Sequence, residues 1–151
     1  SRIQPIATRR SVVRLTGERA DKRARHWQKI VASACEQCGR NHLPQVLPLL
    51  SLPDWLGEQI IVRKNSHAGA PGNLYFMLVP TAEKGLRDFP EAATVTALTL
   101  LVGPEGGLAP EEEAAAQATG FVPLRLGGRI LRTETAALAA VAALQALWGD
   151  Y

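Results

Sequence analysis

The chain has 151 residues, with 17 Lys/Arg against 14 Asp/Glu, 46% hydrophobic side chains and two cysteines. A chain of this length buries roughly 68–70% of the surface it would expose unfolded, so a single-domain core needs no disulfide framework or metal. The longest apolar stretch, 136–148, is interrupted by Gln145 and falls short of the roughly 20 residues of a membrane span. No signal or transit segment is visible, and this cysteine usage suits a reducing cytoplasm, where the protein is expected to reside.

In chain order, residues 3–6 predict a short strand that leads into a basic loop. Residues 21–38 predict a helix, with Asp21 near its start, Gly39 as its stop and an apolar stripe of Ala24, Trp27, Val31, Ala34 and Cys38. Cys35 and Cys38 fall on one face of that helix at i, i+3, where they serve as small apolar residues. A redox pair would sit at a helix start after a strand, and zinc would need two further ligands where only His42 is near, so no metal is expected.

Charge is concentrated in the first quarter. Residues 1–40 carry Arg2, Arg9, Arg10, Arg14, Arg19, Lys22, Arg23, Arg25, Lys29 and Arg40 against Glu18, Asp21 and Glu36, a net +7, while the remaining residues sum to −4. Strand end, loop and helix share one sign, which is the electrostatic footprint of a nucleic-acid partner rather than one solvated helix face. Arg9, Arg10, Arg14, Lys22, Arg23 and Arg25 are the expected phosphate contacts.

Further on, residues 43–50 predict a strand confined towards a sheet edge by Pro44 and Pro48. Residues 53–57 predict a short helical turn, 67–73 a loop rich in Gly and Pro, and 74–79 an apolar strand. Residues 94–102 predict a β-branched strand. A helix follows, with Pro110 in its first turn, Glu111, Glu112 and Glu113 at the positive end of its dipole, and Gly120 as its terminator. Residues 121–126 predict another strand. The last helix, 133–148, is Ala- and Leu-rich all round and is expected to be buried on most sides, with Gly149 ending it. Alternating strands and helices predict an α/β fold with a parallel sheet, in one domain.

Two glycine-bearing turns carry the chemistry: Leu101-Val102-Gly103-Pro104-Glu105-Gly106-Gly107-Leu108, and Leu126-Gly127-Gly128-Arg129-Ile130-Leu131-Arg132-Thr133-Glu134-Thr135-Ala136. Each leaves an apolar strand and enters a helix, which puts it at the carboxyl end of a parallel sheet, where ligands bind. Glycine lets the backbone approach a ligand closely, and amides at a following helix start can donate to it. The first turn lacks the Gly-Lys-Ser/Thr of a P-loop, and it lacks both the spacing and the later acidic residue of a dinucleotide-binding turn.

Together these two segments resemble the cofactor-binding region of the SPOUT RNA methyltransferases. They are most similar to the family that methylates N3 of a uridine in small-subunit (16S) ribosomal RNA. Arg10-Ser11-Val12-Val13, residues 25–30, residues 34–40 and Pro44 share that resemblance, while 53–93 matches only loosely. The resemblance implies a parallel sheet whose C-terminal part is tied into a deep trefoil knot, S-adenosyl-L-methionine as cofactor, ribosomal RNA or the small ribosomal subunit as partner, and a homodimer, without membrane or metal. Relative to that family, residues 1–151 form one methyltransferase domain. The family's N-terminal RNA-binding barrel, and the strand and helix that open its catalytic domain, have no counterpart in these residues.

By motif position Val102, Gly103, Gly107, Leu126, Gly127, Ile130 and Leu131 are expected to hold the cofactor. Glu105 is expected to fix its loop. Uracil N3 is mostly protonated at neutral pH, so its methylation requires proton removal or stabilisation of the anion. A guanidinium near O2 or O4 stabilises that anion without titrating. Arg10 and Arg132 are the candidates for this role. Glu134 is the candidate base, or else a capping or dimer-contact group, and Thr133 and Thr135 are expected to cap the final helix. The competing readings are another SPOUT activity, such as 2′-O-ribose methylation of ribosomal or transfer RNA, and a catalytically silent RNA-binding protein.

Overall fold

The computed structural model describes residues 1–12, 14–65, 72–89 and 95–149. Val13, most of the loop expected at 67–73, and Thr94 at the start of the expected strand lie outside the described residues. Among the described residues all strand pairs are parallel, as the alternation of strands and helices predicts. They are hydrogen-bonded into three groups rather than one continuous sheet.

The strand expected at 3–6 is two short strands, β1 (Arg2–Ile3) and β2 (Ile6–Ala7), and the strand expected at 43–50 is likewise two, β3 (Gln45–Val46) and β4 (Leu50–Ser51). β1 pairs with β3, and β2 with β4. Proline is the cause of both breaks, since Pro5 and Pro48 have no N–H to give a ladder. The Gln4 side-chain amide spans the gap, donating to the carbonyls of Pro5 (2.9 Å) and Pro48 (2.6 Å).

Between these pairs runs α1 (Gly17–Cys38), which starts four residues before the expected Asp21. It ends where expected: Gly39 takes the left-handed conformation (φ 71°) and its amide returns to the carbonyls of Cys35 and Glu36. The inward stripe also differs from expectation. Ala24, Trp27 and Val31 are half-buried, but Cys35 is the buried member, and Ala34 and Cys38 face solvent. The Gln28 side chain fixes the helix to β3, accepting from the Val46 amide (2.8 Å) and donating to the Pro44 carbonyl (3.1 Å).

Where a single turn is expected at 53–57, the structure has a helix of 14 residues, α2 (Leu52–Asn65). The Ser51 hydroxyl accepts from the Asp54 amide at 3.2 Å, an N-cap contact, and Gly57 does not end the helix. Leu52, Trp55 and Leu56 are buried and join one core with Met77, Val79, Leu101, Leu108 and Phe121, while Ile6 and Leu50 pack against it. Thus α2 ties the N-terminal strand pairs to the larger sheet.

That sheet has the order β6-β5-β7, with β5 (Asn73–Leu78) central, β6 (Ala97–Leu101) on one side and β7 (Val122–Leu124) on the other. Alternation along β5 divides the interior. Tyr75, Met77 and Val79 face the core with α2 and α3 (Pro110–Ala118), and Leu74, Phe76 and Leu78 face a second cluster containing Leu124, Leu144 and Trp148. The last helix, α4 (Thr133–Trp148), has the expected bounds and packs Trp148 on Phe76 with ring centroids 6.0 Å apart. It is not buried on most sides of this chain: Ala140 and Leu144 are buried, while Leu138 (75%), Val141 and Leu147 are exposed.

Candidate functional site

The order β6-β5-β7 makes the carboxyl end of β5 a point where the chain's connections diverge to opposite sides, which in open parallel sheets opens a crevice for ligands. Both glycine turns meet there. A cleft of about 110 Å³ is lined by the end of β5 (Leu78, Val79, Pro80), the first turn (Val102–Glu105 and Gly107), the second (Leu124–Leu126 and Arg129–Leu131), and Thr133 and Ala136 of α4.

Local backbone chemistry explains the glycines of the first turn. A Cβ on Gly103 would lie 3.1 Å from the Leu108 nitrogen and 3.2 Å from its Cγ, so any larger residue would press the turn open by a few tenths of an ångström. Gly107 has φ 69°, the left-handed region, and its amide donates to the Pro104 carbonyl at 2.8 Å. The turn then enters α3, where both oxygens of Glu112 are engaged: one accepts from the Ala109 amide (2.9 Å) and the other from the Arg9 amide (2.8 Å). Glu105 makes no side-chain hydrogen bond among the described residues and lines the cleft instead.

The second turn leaves β7 at Leu124, whose carbonyl accepts from Val79 N–H at 3.0 Å, and Arg125 N–H donates to Lys84 at 2.9 Å. Gly127 turns the chain with φ 96°. The residue preceding α4 is Arg132, with no side-chain cap. The expected capping by Thr133 and Thr135 is therefore corrected: the helix begins at Thr133, which places both threonines inside its first turn.

Of the expected cofactor residues, Val102, Gly103, Gly107, Leu126, Ile130 and Leu131 converge on this cleft, and Gly127 shapes its rim without lining it. Leu78, Val79, Pro80, Arg125 and Arg129 also line it and were not expected. The parallel pattern held a signal for the first three, because a central strand must end between its neighbours' turns. Arg132 and Glu134 are exposed beside the cleft and do not line it.

Arg10 is held on the first turn instead. Its guanidinium nitrogen Nη1 donates to the carbonyls of Gly106 (2.8 Å) and Leu108 (3.2 Å). Arg9 pairs with Glu111, the one ion pair among the described residues. Arg14, Lys22, Arg23 and Arg25 are exposed along the loop and α1, so the six basic residues form a basic path in chain order from the first turn's contacts into the helix. A second, larger groove of about 680 Å³ lies beneath α1, walled by Ile3, Ile6, Trp27 and Val31 among others, and reaches the turn only through Pro104 and Glu105. It is largely apolar, contains no glycine of either turn and no residue of the second, so size notwithstanding, the smaller cleft is the candidate ligand site.

Comparison with known proteins bears on this geometry. A family model described as RNA methyltransferase domain matches residues 1–145. Ribosomal RNA small subunit methyltransferase E of Buchnera aphidicola is 38% identical over 130 residues, covering 85% of this chain and 48% of that protein. The crystal structure of ribosomal RNA small subunit methyltransferase E from Neisseria gonorrhoeae, bound to S-adenosyl methionine, superposes with a TM-score of 0.80 at 41% identity, over 98% of this chain and 55% of that one. A methyltransferase from Legionella pneumophila with bound cofactor SAM superposes at 0.79 and 37% identity, over 95% and 54%. The chain spans about half the length of the curated relatives it matches.

Proposed function

Because the chain belongs to the RNA methyltransferase domain family, we propose that it serves S-adenosylmethionine-dependent methylation of N3 of a uridine in 16S ribosomal RNA, in the cytoplasm. The observation that carries this reading is the convergence of both glycine turns on one cleft at the carboxyl end of the central strand. Similarity to two structures that hold the cofactor supports it.

The residues fit that cofactor chemically. Leu78, Leu126, Ile130 and Leu131 offer apolar walls to a purine, and Gly107, with open space where a Cβ would stand, leaves backbone unshielded by side chains. The cleft is small, but Ile130 is 83% exposed, so its outer wall is open to solvent. When bound, S-adenosylmethionine supplies a methyl group made electrophilic by its sulfonium.

The chain's own part is to hold the acceptor nitrogen in its anionic form. Arg132 follows the cleft-lining Leu131 and presents a guanidinium to the uracil oxygens. Arg10 is the second candidate for that role. Glu134, exposed in the first turn of α4, takes the N3 proton or contacts a second subunit. The basic path from Arg9 to Arg25 binds RNA phosphates.

The same reading extends to assembly and topology. The exposed Leu138, Val141 and Leu147 on α4 suit a homodimer contact. Placement of β7 across β5 from β6 is consistent with a knotted C-terminal segment. The apolar groove beneath α1 suits a further strand and helix of the whole protein.

The test is methylation of small-subunit RNA followed by mass spectrometry of the digested product. A methyl group on the uracil base is the expected result. A methyl on the ribose would move the protein to 2′-O chemistry, and cofactor binding without any product would make it a silent RNA-binding protein.

A further inference from the structure

We propose that Arg10 is a positioning residue that couples RNA occupancy of the basic loop to the cofactor turn. Nη1 of Arg10 holds two carbonyls of the turn, those of Gly106 and Leu108, and the alkyl stem packs where a Cβ on Gly106 would meet Arg10 Cβ and Cδ at 3.6 Å. The rest of the guanidinium, Nη2 and Nε, makes no hydrogen bond among the described residues, and the side chain is exposed. A guanidinium is a planar fork with five donors, so one edge can grip the turn while the other meets an RNA oxygen.

The neighbouring residue reinforces the link. The Arg9 amide donates to the same Glu112 carboxylate that caps the start of α3, at 2.8 Å, and the Arg9 side chain pairs with Glu111. The loop is thereby fastened at both ends of the segment 106–112, whose other face contributes Gly107 to the cleft. An RNA oxygen that immobilises the outer edge of Arg10 restricts the loop, and with it the carbonyls of Gly106 and Leu108. The turn is then held in its binding shape, and RNA and cofactor tighten each other's binding. Reciprocity is a thermodynamic necessity of such a link.

This inference rests on reading the turn as the cofactor site, so the experiment separates the two. S-adenosylhomocysteine binding is measured by calorimetry with and without a uridine-bearing RNA hairpin, for the wild-type protein, Arg10→Ala and Arg10→Lys. Amide hydrogen exchange across 103–109 is followed without ligand, alongside the melting temperature.

In the wild type, RNA should tighten cofactor binding about fivefold or more, the lower end of ordinary couplings. Arg10→Ala should speed exchange in the turn, weaken cofactor binding and abolish the RNA effect while the protein still melts cooperatively. Arg10→Lys, which keeps the charge and loses the fork, should retain RNA binding but lose the coupling. Wild-type exchange and affinity in Arg10→Ala, or full coupling in Arg10→Lys, would overturn the proposal. A wild-type protein that binds no S-adenosylhomocysteine would instead overturn the cofactor reading, and the exchange rates alone would then decide whether Arg10 holds the turn.

Discussion

Val79 donates its amide to the carbonyl of Leu124 at 3.0 Å, one step beyond the last ladder pair of β5 and β7. This bond fixes the floor of the cleft to the backbone of Leu124, whose fully buried side chain packs with Phe76 and Leu144. Stability of the sheet and shape of the site are therefore coupled through one residue.

Leu124→Ala should destabilise the fold by about 2–5 kcal/mol, the range for a buried leucine that leaves a cavity. Urea unfolding checks this as a lowered midpoint at an unchanged slope. The same variant should weaken cofactor binding, because Leu124 lines the cleft.

At a cofactor concentration about 100 times its Kd, the protein should gain roughly 2.7 kcal/mol of stability. Gly103→Ala, whose methyl group would press on the Leu108 backbone, and Gly107→Val, which forces a branched side chain into a left-handed conformation, should each abolish that gain. A thermal scan with and without S-adenosylmethionine reads it. An undiminished shift in both variants would remove the first turn from the site.

RNA affinity should fall linearly with salt on logarithmic axes, and each phosphate contact removed should flatten the slope by about 0.7–0.9. The double variant Arg23→Ala, Arg25→Ala should show this flattening and bind many RNAs more weakly alike. Filter binding across a salt series is sufficient. An unchanged slope would leave these arginines as solvated charges.

Arg132→Lys should bind the cofactor normally but turn over slowly, because an ammonium keeps the charge without the planar fork that aligns with a uracil oxygen. Rates of both enzymes should rise towards alkaline pH as uracil N3 itself loses its proton. A normal rate in the variant would clear Arg132 of a part in the reaction.

If the proposed homodimer forms through α4, charge placed on its open face should separate the subunits. Leu138→Glu with Val141→Glu, at two exposed positions, should convert a dimer into monomers by analytical ultracentrifugation and leave the helical signal intact. Unaltered sedimentation of a dimer would place its contact elsewhere.

Much of this architecture is legible where backbone chemistry is explicit in residue type. Gly39 ends α1, Pro110 opens α3, and the run from Thr133 to Trp148 is bounded by a turn and a glycine. The lining of the candidate cleft is legible for the same reason, since glycines at strand ends mark places where backbone must be exposed. Tertiary packing overrode local signals elsewhere. Gly57 reads as a helix stop, yet α2 continues because Trp55 and Leu56 are held in a core shared by two groups of strands, and the Ser51-to-Asp54 cap was the overlooked start signal. Prolines 5 and 48 split strands that hydrophobicity alone draws as continuous. The hold of Arg10 on Gly106 spans 96 positions, and no local pattern encodes it.

The central strand β5 precedes both of its partners in the chain, and Leu78 waits for Leu124 to complete its pairing. During synthesis from the N-terminus, both glycine-turn walls of the cleft are made after every element of the basic path. Such long-range parallel pairing forms slowly and only after large loops close. Under the proposed function, a nascent chain presents its cationic segment to RNA before its methyl-donor cleft exists.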